Sequence, residues 1–468
     1  MHRHALCLAP PHSCLSKLLL AGALLTTLGA LGCSSETDPP GGMGGSGGTG
    51  GAGGTGGSGG TGGAGALPIL ERPAQLAYDC SVSSPARLLD VPTNDTFTGG
   101  LATLGSNAFV AWAQAPKWDA PEQKQSVRFA PISGDAQLGA VSTAVEQTSE
   151  YFSNVLLVPG ADGMTLLAMR QGERELLVGQ VSADGTLRAP MKPVPRDGGA
   201  ASRMLAVRAD TGIALLWDEL ADGEGRRYDL KFGLLTDDGT LTVSPNAVAT
   251  NSNWLWPAAI TSTGQGFLVS YVENGWDGTN AFQVVSTRRI AADGTLGDEH
   301  ELARSTHSDG GGSHALLWRG GEALLARSFT EGTYEGEKLG STVLLTRLDA
   351  DGRRLADDVR LQSWEKSRVN NQPFLFARGE DVGLLWSQGS YIYVCAGCMP
   401  DNHLEFVLLD GSTWAPKSNR LQFSNPAASG GLISPEGVTL GDDILVASRV
   451  GYHVTSELSA GTIRCLPR

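Results

Sequence analysis

Long apolar runs are scarce in this sequence. One stands near the N-terminus, Leu18 to Gly32, and no later segment reaches its length. Charged residues are also few, at 18%. Acids outnumber Lys and Arg, 49 to 35, giving a net charge of −14, and the basic residues never gather into a run. That deficit argues against a nucleic-acid partner, whose binding rests on neutralised phosphates, and against polybasic attachment to anionic lipid. No stretch of useful length repeats its apolar residues with helical period, which points to an all-β chain. Neither a Ser nucleophile elbow between strand and helix nor a Gly-rich phosphate loop with its Lys is present. Cysteines number 7 in 468 residues, and the aromatic content is 6%.

Glycine is the abundant residue, with 63 copies unevenly placed. Residues 1–17 carry Arg3 and Lys17 and no acid, followed by the apolar run Leu18–Gly32, "LLLAGALLTTLGALG". This order of a basic start and a short apolar stretch reads as an export signal, too short for a usual membrane span. The run ends in Gly29-Ala30-Leu31-Gly32-Cys33. That junction resembles the lipobox of bacterial lipoproteins, although residue 30 is Ala where Leu is commoner. The resemblance implies that residues 1–32 are removed and that Cys33 becomes a lipidated N-terminus, with the membrane as a partner through that anchor. Seventeen of the 26 residues from Gly41 to Ala66 are Gly. Such a stretch buries no apolar surface and serves as a flexible tether, 33–66. As a random coil, residues 34–66 span roughly 30 Å; fully extended they reach about 110 Å. Gly-rich tethers of this style resemble those of myxobacterial lipoproteins. The resemblance implies anchoring in the cell envelope, with the outer membrane expected and the leaflet left open by Ser34 after the lipidated Cys.

The remainder, 67–468, is repetitive. "QVSADGTL" ends at Leu187, "LLTDDGTL" at Leu241, "RIAADGTL" at Leu296 and "RLDADGRRL" at Leu355. Asp-Gly suits a tight hairpin turn because both positions tolerate positive φ. Taking Gly134, Gly185, Gly239, Gly294, Gly352, Gly411 and Gly461 as equivalent gives spacings of 51, 54, 55, 58, 59 and 50. An apolar run keeps the same order relative to each turn. These runs end at Trp112, Met169, Trp217, Tyr271, Arg327, Trp386 and Ser448. Runs of this length suit strands buried on both faces. With a short strand before, a long strand after and a polar strand beyond the turn, each unit holds four antiparallel strands in about 55 residues. The pattern predicts a seven-bladed β-propeller, a monomer, whose ring is closed by N- and C-terminal strands sharing one blade. Cys80 precedes "SVSSPARLLDVP", an outer strand, and Cys465 lies in the last strand. We therefore expect a Cys80–Cys465 disulfide, with Cys395 and Cys398 pairing by proximity.

Within each unit the first-to-second and third-to-fourth connections read as short, the others as long. The two long classes emerge on one rim of an up-and-down blade, where binding groups concentrate. Trp118, Trp276, Tyr334, Tyr391 and Tyr393 lie in these segments and are expected to stack on a sugar or hold a peptide. Arg327 takes the run-end position held by Trp in other blades and has two readings: a carboxylate ligand facing the axial channel, or an exposed strand end. Other motifs fall short. "CAGCMPDNH", Cys395 to His403, lacks the His that haem attachment needs and a second pair for zinc. "DGSTW", Asp410 to Trp414, lacks the residue between Asp and Gly that sialidase-type Asp-boxes carry. "LDADG", Leu348 to Gly352, has two of three positions of a calcium loop. "HSDGGGSH", His307 to His314, sets flexible Gly between its histidines, so no metal and no cofactor are expected. The leading expectation is a non-catalytic binding or scaffold module for a protein or glycan. The alternative is an envelope glycan hydrolase or lyase with two convergent acids drawn from Asp119, Glu219, Asp277 and Glu335.

Overall fold

A computed structural model of the chain describes residues 67–71, 73–93, 100–114, 124–147, 152–170, 175–195, 201–221, 227–252, 254–276, 281–305, 313–331, 340–361, 368–390, 402–424, 432–452 and 455–468. Seven four-stranded antiparallel sheets form a ring. The inner strands of blades 1 to 7 are Gly100–Leu104, Phe152–Pro159, Ala201–Ala209, Trp254–Ser262, His314–Arg319, Arg368–Arg378 and Leu432–Leu440. Each meets the inner strand of the next blade, and the seventh meets the first, so the ring is closed. The second strands are Asn107–Gln114, Gly163–Arg170, Gly212–Leu220, Gly266–Trp276, Glu322–Glu331, Asp381–Ser390 and Asp443–Tyr452. Every apolar run read from the sequence lies in one of them.

Those runs are buried on both faces because a blade stands against each. Phe109 and Phe129 of blade 1 pack with Leu166 and Val181 of blade 2. On the other face Val110 and Trp112 meet Leu445 and Leu458 of blade 7. Trp386 fills the seam between blades 5 and 6, and Trp217 that between blades 2 and 3. Each such large side chain contributes about 1.5–3 kcal/mol by leaving water. The seam between blades 4 and 5 has a smaller apolar cluster, Leu268, Leu316, Leu325 and Leu348 among it. Polar contacts supplement it: Ser270 bonds His314 at 2.8 Å, and the Thr287 hydroxyl donates to the Gly352 carbonyl at 2.7 Å.

The repeated turn has two jobs. Gly185, Gly239, Gly294 and Gly352 take φ of 79°, 85°, 86° and 92°, which closes the turn after an Asp. The Asp184, Asp293 and Asp349 carboxylates each accept a backbone N–H within the turn. Each glycine also faces the preceding blade. A Cβ on Gly239 would fall 2.3 Å from Val178 Cγ1, and one on Gly185 would meet Phe109 at 3.0 Å. The turn thus repeats because it is a blade-to-blade contact. Three of the seven landmarks are displaced. In blade 1 the left-handed residue is Ala136 (φ 59°), not Gly134, and in blade 6 it is Trp414 (φ 61°), not Gly411. Gly461 is no turn: it lies inside Thr455–Pro467, where a Cβ would meet Phe423 Cζ at 2.5 Å and Ala86 N at 2.8 Å. Blade 7 has no third-to-fourth turn because its fourth strand comes from the other end of the chain.

That strand is Tyr78–Thr93, paired antiparallel to Thr455–Pro467 with Cys80 opposite Cys465. The expected disulfide between them is formed and spans 385 residues of chain. Asn419 of blade 6 holds the same place: its Oδ1 accepts the Cys80 N–H at 2.8 Å and its Nδ2 donates to the Cys80 carbonyl at 3.0 Å. Before entering blade 7 the chain runs along outer edges of two blades. Leu70 N donates to the Arg360 carbonyl of blade 5, and Ala77 and Tyr78 N to the Lys417 carbonyl of blade 6.

Two stability measurements follow. Gly239→Ala is expected to cost more than about 2 kcal/mol in urea unfolding, because strain at positive φ and overlap with Val178 combine. Gly264→Ala, with φ +79 and nothing within 4 Å, is expected to lose about 1 kcal/mol. Equal losses would remove the packing role of the turn. Replacing Cys80 and Cys465 together by Ser is expected to lower unfolding free energy by about 2–5 kcal/mol, read under non-reducing conditions.

Candidate functional site: the axial cavity and the loop-bearing rim

The inner strands leave one edge of each sheet unpaired, and these edges converge on a cavity of about 560 Å³ lined from all seven blades. Its wall is chiefly aliphatic, with Leu101, Leu156, Leu205, Ile260, Leu316 and Phe374 on six of the seven blades. The inner strands bend around it through β-bulges, at Ser153/Leu156, Asn371/Phe374 and Ile433/Glu436. At each of these bulges one residue takes the left-handed conformation: Asn154 (φ 49°), Gln372 (φ 52°) and Ser434 (φ 51°). A bulge re-aims the side chains beside it. Here it turns Gln372 to accept the Ser434 N–H at 2.6 Å, linking blades 6 and 7.

Among the described lining residues, Glu436 and His314 are the two that titrate. Glu436 follows the blade 7 bulge, and its Oε2 accepts the Leu101 N–H of blade 1 at 2.7 Å. Burial pushes its carboxyl up to about 8, against the opposing effect of the Leu101 N–H. The group is therefore mostly protonated at neutral pH, when it presents an O–H to the cavity. His314 opens the inner strand of blade 5. Burial, and then the charge of Arg327, push it down to about 3, so the ring is neutral. Arg327 stands directly behind, opposite His314 in the sheet. It is buried, not an exposed strand end. Its Nη2 donates to Asp358 Oδ2 at 2.7 Å, while Thr346 donates to Asp358 Oδ1 at 2.7 Å.

The cavity wall begins at Gly100 in blade 1 and Ser313 in blade 5, immediately after the inter-blade connections 94–99 and 306–312. It therefore reaches the rim that bears those connections. At the same rim the second strands end and the third strands begin, on either side of 115–124, 171–174, 221–227, 277–280, 332–339, 391–402 and 453–454. The opposite rim has the first-to-second turns 105–106, 160–162, 210–211, 263–265, 320–321, 379–380 and 441–442. It is less uniformly trimmed than expected. The third-to-fourth connections 133–141, 349–358 and 411–420 are long, and each folds back on its own blade through the bridges Ile132↔Leu138, Leu348↔Arg354 and Leu409↔Pro416. Between blades 3 and 4 the path is nearly all strand: Asn251 to Pro257 belongs to Leu241–Ser252 and Trp254–Ser262, with residue 253 alone between them.

Trp276 ends the second strand of blade 4, opposite Ala281, which puts it at the base of the loop-bearing rim. Trp118, Tyr334, Tyr391, Tyr393, Cys395 and Cys398 lie outside the described residues, as do Cys33, Asp119, Asp277 and Glu335. Glu219 accepts the Trp217 indole N–H at 3.2 Å. His403 bonds Glu405 at 3.0 Å, and Arg420 bonds the other oxygen of that carboxylate at 2.8 Å. Asp410 caps its own turn, accepting from the Ser412 hydroxyl at 2.6 Å and Thr413 N at 2.8 Å, which holds its carboxyl well below the usual range.

No protein-family model and no curated protein matches the chain. Solved propeller-containing structures resemble it. The β-propeller domain of the Trilobed protease from Pyrococcus furiosus, described as having an open velcro topology, matches 80% of this chain and 96% of that one, at 9% identity and a TM-score of 0.46. A prolyl endopeptidase matches 80% of this chain at 11% identity and a TM-score of 0.44; the chain spans 50% of its length. The extracellular region of plexin A4 matches 79% of this chain and 46% of that one, at 8% identity and a TM-score of 0.47.

Glu436 fixes a pH dependence. Its folded value lies above the ordinary carboxyl range near 4.3, so the folded state holds this proton more tightly. The stabilisation it contributes is complete below that range and is lost as pH rises through about 8. Urea unfolding of Glu436→Gln is expected to show a flatter decline from pH 5 to 9 than the parent, and greater stability at pH 9. Parallel curves would contradict the raised titration of this acid.

Proposed function

We propose that the chain is an exported lipoprotein held at the cell envelope through an acyl group on Cys33, at the outer membrane. On a Gly-rich tether it carries a propeller that serves as a non-catalytic binding or scaffold module for a protein or glycan. One observation carries the binding reading: connections from every blade emerge on one rim, and the axial cavity reaches that same rim. A rigid ring with irregular segments grouped at one end is how binding groups are usually presented. The Cys80–Cys465 disulfide supports export, since such bonds persist in oxidising compartments.

Metabolic labelling with palmitate should mark the chain and fail with Cys33→Ser, which should also release the protein from the membrane fraction. Residues 34–468, used as bait in detergent-solubilised envelope, should retain a partner. Replacing 332–339 by a two-residue turn should abolish capture, whereas Asp442→Lys on the opposite rim should not. Cleavage of a glycan library with no captured partner would replace this reading with the hydrolase.

A further inference from the structure

We propose that the axial cavity is a binding site for an uncharged, mainly apolar molecule that carries one hydrogen-bond-accepting oxygen, entering from the loop-bearing rim and placing that oxygen against Glu436. This deepens the binding reading above and rests on it. It concerns the cavity, whereas the partner concerns the rim.

The volume, about 560 Å³, falls in the range of small-molecule sites. The wall sets the class of molecule. Leu101 of blade 1, Phe374 of blade 6 and Pro435 of blade 7 share the wall with Glu436, and Leu205, Ile260 and Leu316 line it from blades 3 to 5, so much of a ligand would meet hydrocarbon. Among the described lining residues there is neither Lys nor Arg, and His314 is neutral, so an anion would be desolvated without a counter-charge. The wall also carries the uncharged polar side chains of Asn154, Thr261, Ser313, Gln372 and Ser434, and Glu436 is its one carboxyl among the described lining residues. One carboxyl oxygen is committed to Leu101 N, while the other has no hydrogen-bond partner among the described residues. Protonated at neutral pH, that carboxyl donates to a carbonyl or hydroxyl oxygen. A cation would require the carboxylate form, which burial opposes.

Charged neighbours do not alter this. The inner strand Gly100–Leu104 has no titratable side chain. On Arg368–Arg378, Arg378 turns to the Tyr78 ring at 5.2 Å and the Cys465 carbonyl at 3.3 Å; of Arg368 only the backbone is described. On Asp443–Tyr452, Asp443 is paired with Arg464 at 2.6 Å, and Arg449 stands opposite Ile433 on the far side of the bulge.

The test uses the full chain with Cys33→Ser, so that no acyl group enters the assay. The probe is 6-propionyl-2-dimethylaminonaphthalene, an uncharged ketone whose emission reports polarity. We expect saturable one-to-one binding with a blue shift at pH 7. Octanamide should displace it at least about tenfold better than octanoate or octylammonium. Affinity should fall above pH 8. Glu436→Gln, which can still accept from Leu101 and donate to the ligand, should bind without that fall. Glu436→Leu should bind about tenfold more weakly. Ala206→Trp, which fills the cavity, should abolish binding with its melting transition retained. The inference is overturned by absent saturation, by unchanged binding in a folded Ala206→Trp, by preference for octylammonium or octanoate, or by a pH profile that Glu436→Gln leaves intact. If the probe fails while the rim partner is still captured, the cavity assignment falls and the binding-module reading stands.

Discussion

Everything in this domain depends on strands that are apolar on both faces. A second strand such as Gly212–Leu220, with Ile213, Leu215 and Trp217 on one side and Ala214 and Leu216 on the other, gains nothing from a single covering layer. It needs a sheet against each face, and each of those sheets has the same need. A linear stack would leave two apolar ends in water. A ring leaves none, provided the last blade meets the first. Closure is therefore the condition under which the other six seams are worth forming, and the outer strand Tyr78–Thr93 together with Cys80–Cys465 supplies it.

The cavity is a consequence of that geometry. Seven twisted sheets packed face to face cannot bring their first strands into contact at one axis, so an open centre remains and the inner edges are left unpaired. Bulges at Asn154, Gln372 and Ser434 shape this centre, at the cost of left-handed backbone in residues other than glycine. Such strain persists where surrounding structure imposes it. Here Gln372 holds Ser434, so two of the three strained positions also link blades 6 and 7, and Glu436, two residues beyond Ser434, links blade 7 to blade 1 through Leu101.

How much of this was legible depends on which residues carried it. The second strands were plain because four to six apolar residues in succession suit few other structures, and Cys80 with Cys465 at the two ends of the repeat suggested the closing blade. Turn positions were legible only where glycine held the left-handed place. In "SGDAQL" and "DGSTW" a glycine lies nearby, but Ala136 and Trp414 take that conformation, held by bonds to Ser133 and Asp410 that spacing does not reveal. Gly461 has the right spacing for the wrong reason: it admits Phe423 and the Ser84–Ala86 backbone. Among the polar residues of the cavity, Glu436 is not legible in the sequence because "LISPEGVTL" resembles any exposed strand. Its signal, a lone acid after Pro in a first strand, has meaning only once that strand is known to be innermost. Arg327 stands out in the sequence by taking a place that Trp holds in other blades, and the reason is a buried pair with Asp358, contributed by a long third-to-fourth connection.

Glu436 and the disulfide stand on the same closing blade at opposite radial positions, and this bears on why the acid is tolerated. Blade 7 is the one blade assembled from both chain ends, so its position is not fixed by chain continuity on its outer side. Cys80–Cys465 and Asn419 fix the outer strand to blade 7 and to blade 6. At the inner edge the junction with blade 1 is made by the Glu436–Leu101 bond, beside the connection that leads from the outer strand back to Gly100. An apolar side chain at 436 would leave the Leu101 N–H without that acceptor at the seam where the ring closes. Unmet backbone donors are costly, roughly 1–3 kcal/mol each. A half-buried carboxyl that keeps its proton meets the need without importing a charge, and its remaining oxygen adds a proton-donating group to the cavity wall.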